Sequence, residues 1–218
     1  MSLNNKPLVG KIFFIDFDDV LLDTKSFKND YFKVFEKFGI SAEKAEAEYK
    51  KMREQIAVYD LDTHISFLKK TFPGLEREPA KKVLYDFFGN SSKYVFKDSQ
   101  PFLSFLKSHD CRIELITTGD PWVQKKKVFS SGLKDFFGKI HYVDTDYKSN
   151  WIKKSLRGKK DFFVFIDDKP KPLQDVKENF PNSLVIQIIR HNGALKSDTA
   201  DKIVYNLGQV KKILQSHV

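Results

Sequence analysis

The chain has 218 residues, enough for one large domain or for a core domain carrying a smaller insertion. Hydrophobic residues make up 41% and include 21 phenylalanines, which supplies a packed core and excludes a disordered chain. The single cysteine, Cys111, excludes an internal disulfide framework, and 38 basic against 29 acidic side chains give a net charge of +9, which favours anionic partners. The lysines are interspersed with acids. The densest clusters, Lys125, Lys126 and Lys127 and then Lys159 and Lys160, are short and lack the interleaved aromatics of a nucleic-acid platform, so no specific nucleic acid is expected. The opening MSLNNKPLVGK lacks the apolar centre of a secretion signal, and no run approaches the ~18 apolar residues of a spanning helix. The expectation is a soluble, cytoplasmic protein without membrane association, monomeric or homodimeric.

Residues 12–15 form a short apolar run, IFFI, suited to a strand buried on both faces of a parallel sheet. The run ends abruptly in Asp16, Phe17, Asp18 and Asp19. Carboxylates just past a strand end lie at the carboxyl edge of the sheet, where open α/β folds bind their ligands. Like charges clustered there imply a cation between them.

Residues 25–96 change character. Phe27, Tyr31, Val34, Phe35 and Phe38 recur at helical steps, predicting a helix that stops near Gly39. Ser41 is placed to cap a charged helix over residues 41–58. Further helices are predicted over 63–71 and 78–88, separated by Pro73-Gly74 and closed by Gly89-Asn90. With no strand-like alternation, this stretch reads as an all-helical cap inserted into a core formed by residues 1–24 and 97–218.

From residue 98 helices and apolar strands alternate. Strands are predicted at 112–116, 140–143, 162–166, 184–189 and 202–205, with helices over 100–107, 121–131, 149–156, 172–179 and 208–215. Such alternation argues for a Rossmann-like parallel sheet flanked by helices, an α/β fold with right-handed crossovers. Four polar sets then follow four strands: Asp16 and Asp18; Thr117, Thr118 and Gly119; Lys148; and Asp167 with Asp168. Each alone is an ordinary turn or helix cap. Parallel strands bring all four to one edge.

In this order the motifs resemble the haloacid dehalogenase superfamily of hydrolases. IDFDDVLLDT is similar to its first motif, LITTGD to the second, Lys148 fits the third, and IDD the acidic fourth. The linking stretch QKKKVFSSGLKDFFGKI is similar as well. The chain departs from the common pattern at Asp19, Val20 and Thr118, and its fourth-motif acids are adjacent, with Pro172 where a spaced acid otherwise stands. Lys127 and Lys153 are alternatives to Lys148 for the third-motif lysine.

The resemblance implies a Mg²⁺-dependent phosphatase acting on a small phosphorylated metabolite. Asp16 would be the nucleophile that forms an aspartyl-phosphate, and Asp18 the general acid and base, its proton retained by the crowding of other carboxylates. Thr117, Thr118 and nearby N–H groups would hold phosphate oxygens, and Lys148 would balance their charge. The metal would take Asp16, the Asp18 carbonyl, Asp167 and, directly or through water, Asp168. Asp18 selects within the superfamily, because dehalogenases need no acid there and lack it. The alternatives are a phosphomutase, or a non-catalytic receiver-like or phosphate-binding module. Specificity would lie in the cap, where Tyr59, Asp60, Asp62 and His64 lie between two helices within reach of the substrate or simply in a polar loop; Trp122, just past the second motif, would stack on a substrate or, more simply, pack.

Overall fold

A computed structural model describes residues 8–56, 58–158 and 161–216; the first seven residues and the Lys159–Lys160 cluster lie outside them. Strand β1, Ile12–Ile15, is buried along its whole length. Its side chains alternate between two cores, Phe13 and Ile15 on one face of the sheet, Ile12 and Phe14 on the other. An unbroken apolar run is what a strand covered on both faces requires.

The sheet has six parallel strands in the order β3-β2-β1-β4-β5-β6. The remaining five are β2 Arg112–Thr118, β3 Lys139–Val143, β4 Phe163–Asp167, β5 Leu184–Ile188 and β6 Lys202–Val204. β1 pairs with β2 and with β4, so the topology reverses beside it and opens a crevice at the carboxyl ends of both. Five helices alternate with these strands: α5 Ser99–Ser108, α6 Pro121–Ser130, α7 Ser149–Ser155, α8 Pro170–Asn179 and α9 Leu207–Gln215, numbered after the four helices below. Helix α8 starts two residues before the predicted 172, with Pro170 in its first turn, where a missing N–H costs nothing.

Between β1 and α5 run α1 Thr24–Lys33, α2 Ala42–Gln55, α3 Leu61–Thr71 and α4 Arg77–Phe88, with no strand among the described residues there. Sequence periodicity predicts one helix to Phe38, but the chain tightens at Val34 into a 3₁₀ turn and stops at Gly39, whose φ of 72° closes the end. Helix α2 ends at Gln55 rather than near Val58, with Ile56 already extended. Helix α3 begins at Leu61 because Asp60 caps it, accepting the Thr63 N–H at 2.6 Å. Phe27, Tyr31, Phe88 and Tyr94 meet ring to ring at the centre of this segment, with centroids 5.2 to 6.1 Å apart.

The segment leaves and rejoins the sheet side by side. Leu22 bridges Val95 in antiparallel fashion, Asp23 N–H donates to the Tyr94 carbonyl at 2.8 Å, and Phe96 N–H donates to that of Leu21 at 3.0 Å.

Candidate active site

The carboxyl ends of β1, β2 and β4 gather Asp16, Thr117 and Asp167 in the crevice, all buried. Lys148, at the start of α7 just past β3, is 2% exposed and places Nζ 2.6 Å from Asp16 Oδ1 and 2.7 Å from Asp167 Oδ2. It also donates to the Ile116 carbonyl at 3.1 Å. Of the three candidate lysines, Lys148 is therefore the one at the carboxylates of β1 and β4. Lys127 joins Asp18, and Lys153 is exposed on α7.

Asp16, Asp167 and Asp168 each offer an oxygen within 4.8 Å of the others. Burial pushes the Asp16 carboxyl up to about 7, with Asp167 adding to the rise and Lys148 opposing it. Burial, then Asp167 and Asp16, push Asp168 well above the usual carboxylate range. Asp168 Oδ1 and the Thr117 hydroxyl are buried without a hydrogen-bond partner. Three hard oxygen donors, one of them orphaned and two resisting ionisation, fit a small divalent cation. Lys169, unremarked in the sequence although it directly follows the acid pair, stands over the same site. Burial disfavours its charge, but Asp16, Asp168 and Asp167 outweigh that and raise its affinity for a proton.

Asp18 occupies a different setting from the one its neighbours in sequence imply. Lys127 Nζ reaches Asp18 Oδ1 at 2.5 Å, Gln124 Nε2 donates to Oδ2 at 2.7 Å, and the Thr24 hydroxyl donates to Oδ1 at 3.0 Å. Burial works to raise its carboxyl, yet Lys127 and then these hydrogen bonds win and lower it to about 2. Crowding by other carboxylates therefore does not keep a proton on Asp18, contrary to the sequence expectation: cationic and neutral donors hold it ionised. Gln124 and Lys127 lie three residues apart on one face of α6, which is the signal that was available for them.

Asp120 caps α6, accepting the N–H groups of Trp122 and Val123, while its second oxygen accepts the Leu61 N–H at 3.3 Å and ties α6 to α3. Gly119, with φ of 146°, lies against Gln124: a Cβ there would come within 2.9 Å of Nε2. The Thr118 hydroxyl turns away to the Thr145 carbonyl at 3.1 Å. Asp19 sits at φ 53°, a left-handed position that Asp tolerates. With Asp23 and His191 it forms a second, partly exposed group, His191 Nε2 lying 3.3 Å from Asp19 and 3.6 Å from Asp23. There Asp19 already accepts the Thr24 N–H, and Asp23 caps α1.

A cavity of about 190 Å³ opens between this edge and helices α1 and α2. Tyr59 lines it, as do Asp18, Lys127 and Lys169. Asp60 and Asp62 are committed elsewhere, the first as a helix cap and the second to Arg77 and Lys81. His64 is fully buried inside the helical segment, its Nδ1 2.6 Å from the Tyr31 hydroxyl. Trp122 is 47% exposed and packs at a tilt against Tyr85 with centroids 4.6 Å apart, joining α6 to α4.

The haloacid dehalogenase-like hydrolase family matches residues 11–183, a span that runs from β1 to the threshold of β5 and holds all of the acids described. The chain belongs to that family. Solved structures of the same fold include a haloacid dehalogenase-like hydrolase from Burkholderia xenovorans LB400, with TM-score 0.75 and 17% identity over 93% of this chain and 97% of that one. A protein assigned as a β-phosphoglucomutase from Thermotoga maritima superposes with TM-score 0.72 and 14% identity, covering 95% and 100%. The L-2-haloacid dehalogenase of Xanthobacter autotrophicus does so with TM-score 0.71 and 14% identity, covering 96% and 100%. At these identities the likeness is one of fold, and the last two are named for different chemistries. No curated protein matches the chain significantly. As a haloacid dehalogenase-like hydrolase it is an enzyme, and no described helix is long and apolar enough to cross a membrane.

Proposed function

We propose that this hydrolase is a Mg²⁺-dependent phosphatase that cleaves a small phosphomonoester through an aspartyl-phosphate on Asp16. The observation that carries the reading is Asp18. Two residues beyond Asp16, a second carboxyl faces the cavity, oriented by Lys127, Gln124 and Thr24. Halide departure needs no proton, whereas an alkoxide leaving from phosphorus does.

Asp16 attacks phosphorus, and the bond from phosphorus to the leaving alcohol oxygen breaks. Asp18 delivers a proton to that oxygen, having taken it from solvent as the incoming phosphate dianion raises its affinity for one. As a carboxylate again, Asp18 takes a proton from the water that attacks the phosphoenzyme, and inorganic phosphate leaves with Asp16 restored. Its ionised resting form suits that second step. Asp16, Asp167, the Asp18 carbonyl and, directly or through water, Asp168 would hold Mg²⁺, which would supply positive charge to the phosphoryl oxygens. The Thr117 hydroxyl, unpartnered here, donates to one of those oxygens, and Lys148 neutralises the carboxylates around the nucleophile.

The helical segment α1–α4 acts as a cap over this chemistry, and the free Cys111 fits a reducing, cytoplasmic setting. The test is release of inorganic phosphate from a panel of phosphomonoesters with Mg²⁺, beside halide release from 2-haloacids. Phosphate release abolished by chelator and by Asp16→Asn is expected. Halide release, or turnover that survives Asp16→Asn, overturns the reading; an isomerised ester in place of phosphate identifies a mutase.

A further inference from the structure

Lys148 stands where two duties meet that one side chain cannot perform together. It is the N-cap residue of α7, a position at which a side-chain oxygen ordinarily accepts one of the first helical N–H groups. A lysine offers donors and no acceptor. The donors of this one are already spent, on Asp16 Oδ1 at 2.6 Å, Asp167 Oδ2 at 2.7 Å and the Ile116 carbonyl at 3.1 Å. Lys148 accordingly makes no side-chain cap.

The missing cap comes from another helix. Asp175 of α8, buried, accepts the Ser149 N–H on Oδ2 at 2.7 Å and the Ser149 hydroxyl on Oδ1 at 2.8 Å. Asn179 braces it from the next turn, Nδ2 donating to the Asp175 carbonyl at 2.8 Å. One turn before Asp175 on the same helix, the Lys171 ammonium lies 4.7 Å from the ring centroid of Tyr147. Helix α8 thus grips the chain on both sides of Lys148, at Tyr147 and at Ser149. The far end of α7 is tied to the sheet, where the Ser155 hydroxyl donates to Glu114 of β2 at 2.6 Å. Because α8 begins at Pro170, just past Asp167 and Asp168, one helix fixes both the acids of β4 and the point from which Lys148 reaches them.

We propose that Asp175 is a positioning residue, which caps α7 in place of Lys148 and so fixes the ammonium between Asp16 and Asp167; its kinetic consequence rests on the phosphatase reading. Lys148 reaches its acceptors on a flexible four-carbon stem, and only a fixed backbone lets it meet them all at once. Without Asp175 the Ser149 N–H, in a buried residue, has no acceptor, and the first turn of α7 opens toward water. The charge opposite the nucleophile then loses the placement on which its effect depends.

The experiment compares the full chain with Asp175→Ala, Asp175→Asn and Ser149→Ala. Asparagine keeps both links, its Oδ1 accepting the Ser149 N–H and its Nδ2 donating to the Ser149 hydroxyl. The first readout is acetylation by acetic anhydride, measured by peptide mass spectrometry as the ratio of Lys148 to Lys127, both buried. Asp175→Ala should raise that ratio by about fivefold or more, and Asp175→Asn should leave it near the parent value. Ser149→Ala, which loses only the hydroxyl bond, should give a smaller rise and keeps the test readable if Asp175→Ala does not fold. A ratio unchanged in Asp175→Ala and Ser149→Ala, or a rise shared equally by Lys127, overturns the proposal. The second readout is hydrolysis of p-nitrophenyl phosphate with Mg²⁺. Asp175→Ala should lower kcat by about tenfold or more while KM changes little, with recovery in Asp175→Asn. A loss carried by KM alone, or no recovery, also overturns it. Absence of hydrolysis by the parent chain counts against the phosphatase reading instead, and the acetylation ratio still decides whether Asp175 holds Lys148.

Discussion

Lys127 and Asp18 meet at 2.5 Å although 109 residues separate them in the chain. This ion pair, 6% exposed on the lysine side, connects α6 to the turn after β1 and sets the charge state of the proposed acid and base. Removing the ammonium leaves the half-buried Asp18 without its main counter-charge, so its carboxyl must rise from about 2. In Lys127→Met the acid limb of the kcat profile, where the Asp18 carboxylate takes a proton from the attacking water, is expected to move to higher pH, with turnover lowered. Asp18→Asn should cost on the order of a hundredfold or more. A limb that stays in place in Lys127→Met would show that Lys127 does not control Asp18.

Asp16, Asp167 and Asp168 provide the second expectation. If Mg²⁺ binds this set, a concentration a hundred times its Kd should stabilise the folded chain by about 2.7 kcal/mol. Thermal unfolding followed by fluorescence reads this directly, without substrate. The Mg²⁺-dependent rise in Tm should vanish in Asp167→Asn. A full rise in that variant would place the ion elsewhere.

Gly119 tests the support behind Asp18. Its φ of 146° strains any side chain, and a Cβ would press on Gln124 at 2.9 Å from Nε2 and 3.1 Å from Cγ. Gly119→Ala is expected to destabilise by about 1–3 kcal/mol and to lower turnover by moving the Gln124 amide off Asp18. Chemical denaturation and steady-state rates measured together check both parts. Wild-type values for each would refute the account.

A buried network away from the site governs acid stability. Glu114 on β2 is 1% exposed and receives hydrogen bonds from Arg112 Nε at 2.6 Å and the Ser155 hydroxyl at 2.6 Å, with His141 Nε2 at 2.7 Å. Burial opposes its charge, but His141, Ser155 and Arg112 together lower its carboxyl from 4.5 to about 2. A carboxyl depressed by folding stabilises above its unfolded value and loses that contribution as pH falls through the folded one. About 3 kcal/mol should therefore disappear between pH 4.5 and 2. Glu114→Gln should be less stable at pH 7 and lose less on acidification. Parallel pH–stability curves for the two proteins would reject this assignment.

The sheet and its acids were legible because their signals are local. Ile12 to Ile15 form an unbroken apolar run, and Asp16 and Asp18 follow within three residues. Asp167 repeats that logic at the end of β4. What escaped was orientation. Spacing places Gln124 and Lys127 on one face of α6, but only the docking of that helix shows that the face looks back at Asp18. Three lysines are candidates for the carboxylates of β1 and β4, and the choice of Lys148 depends on where α7 begins after β3. The sequence places His64 at the start of a predicted helix over 63–71, within reach of the substrate, and does not show its burial inside the cap. Asp60 starts α3 early and brings Leu61, His64, Ile65 and Leu68 onto one buried stripe.

The pairing of Leu22 with Val95 means that the polypeptide departs for α1–α4 and returns within one strand spacing. An excursion whose two ends are stapled together can grow, shrink or be exchanged at little entropic cost to the sheet that bears the nucleophile. New selectivity can thus be grafted at this doorway while the reactive carboxylates stay where they are.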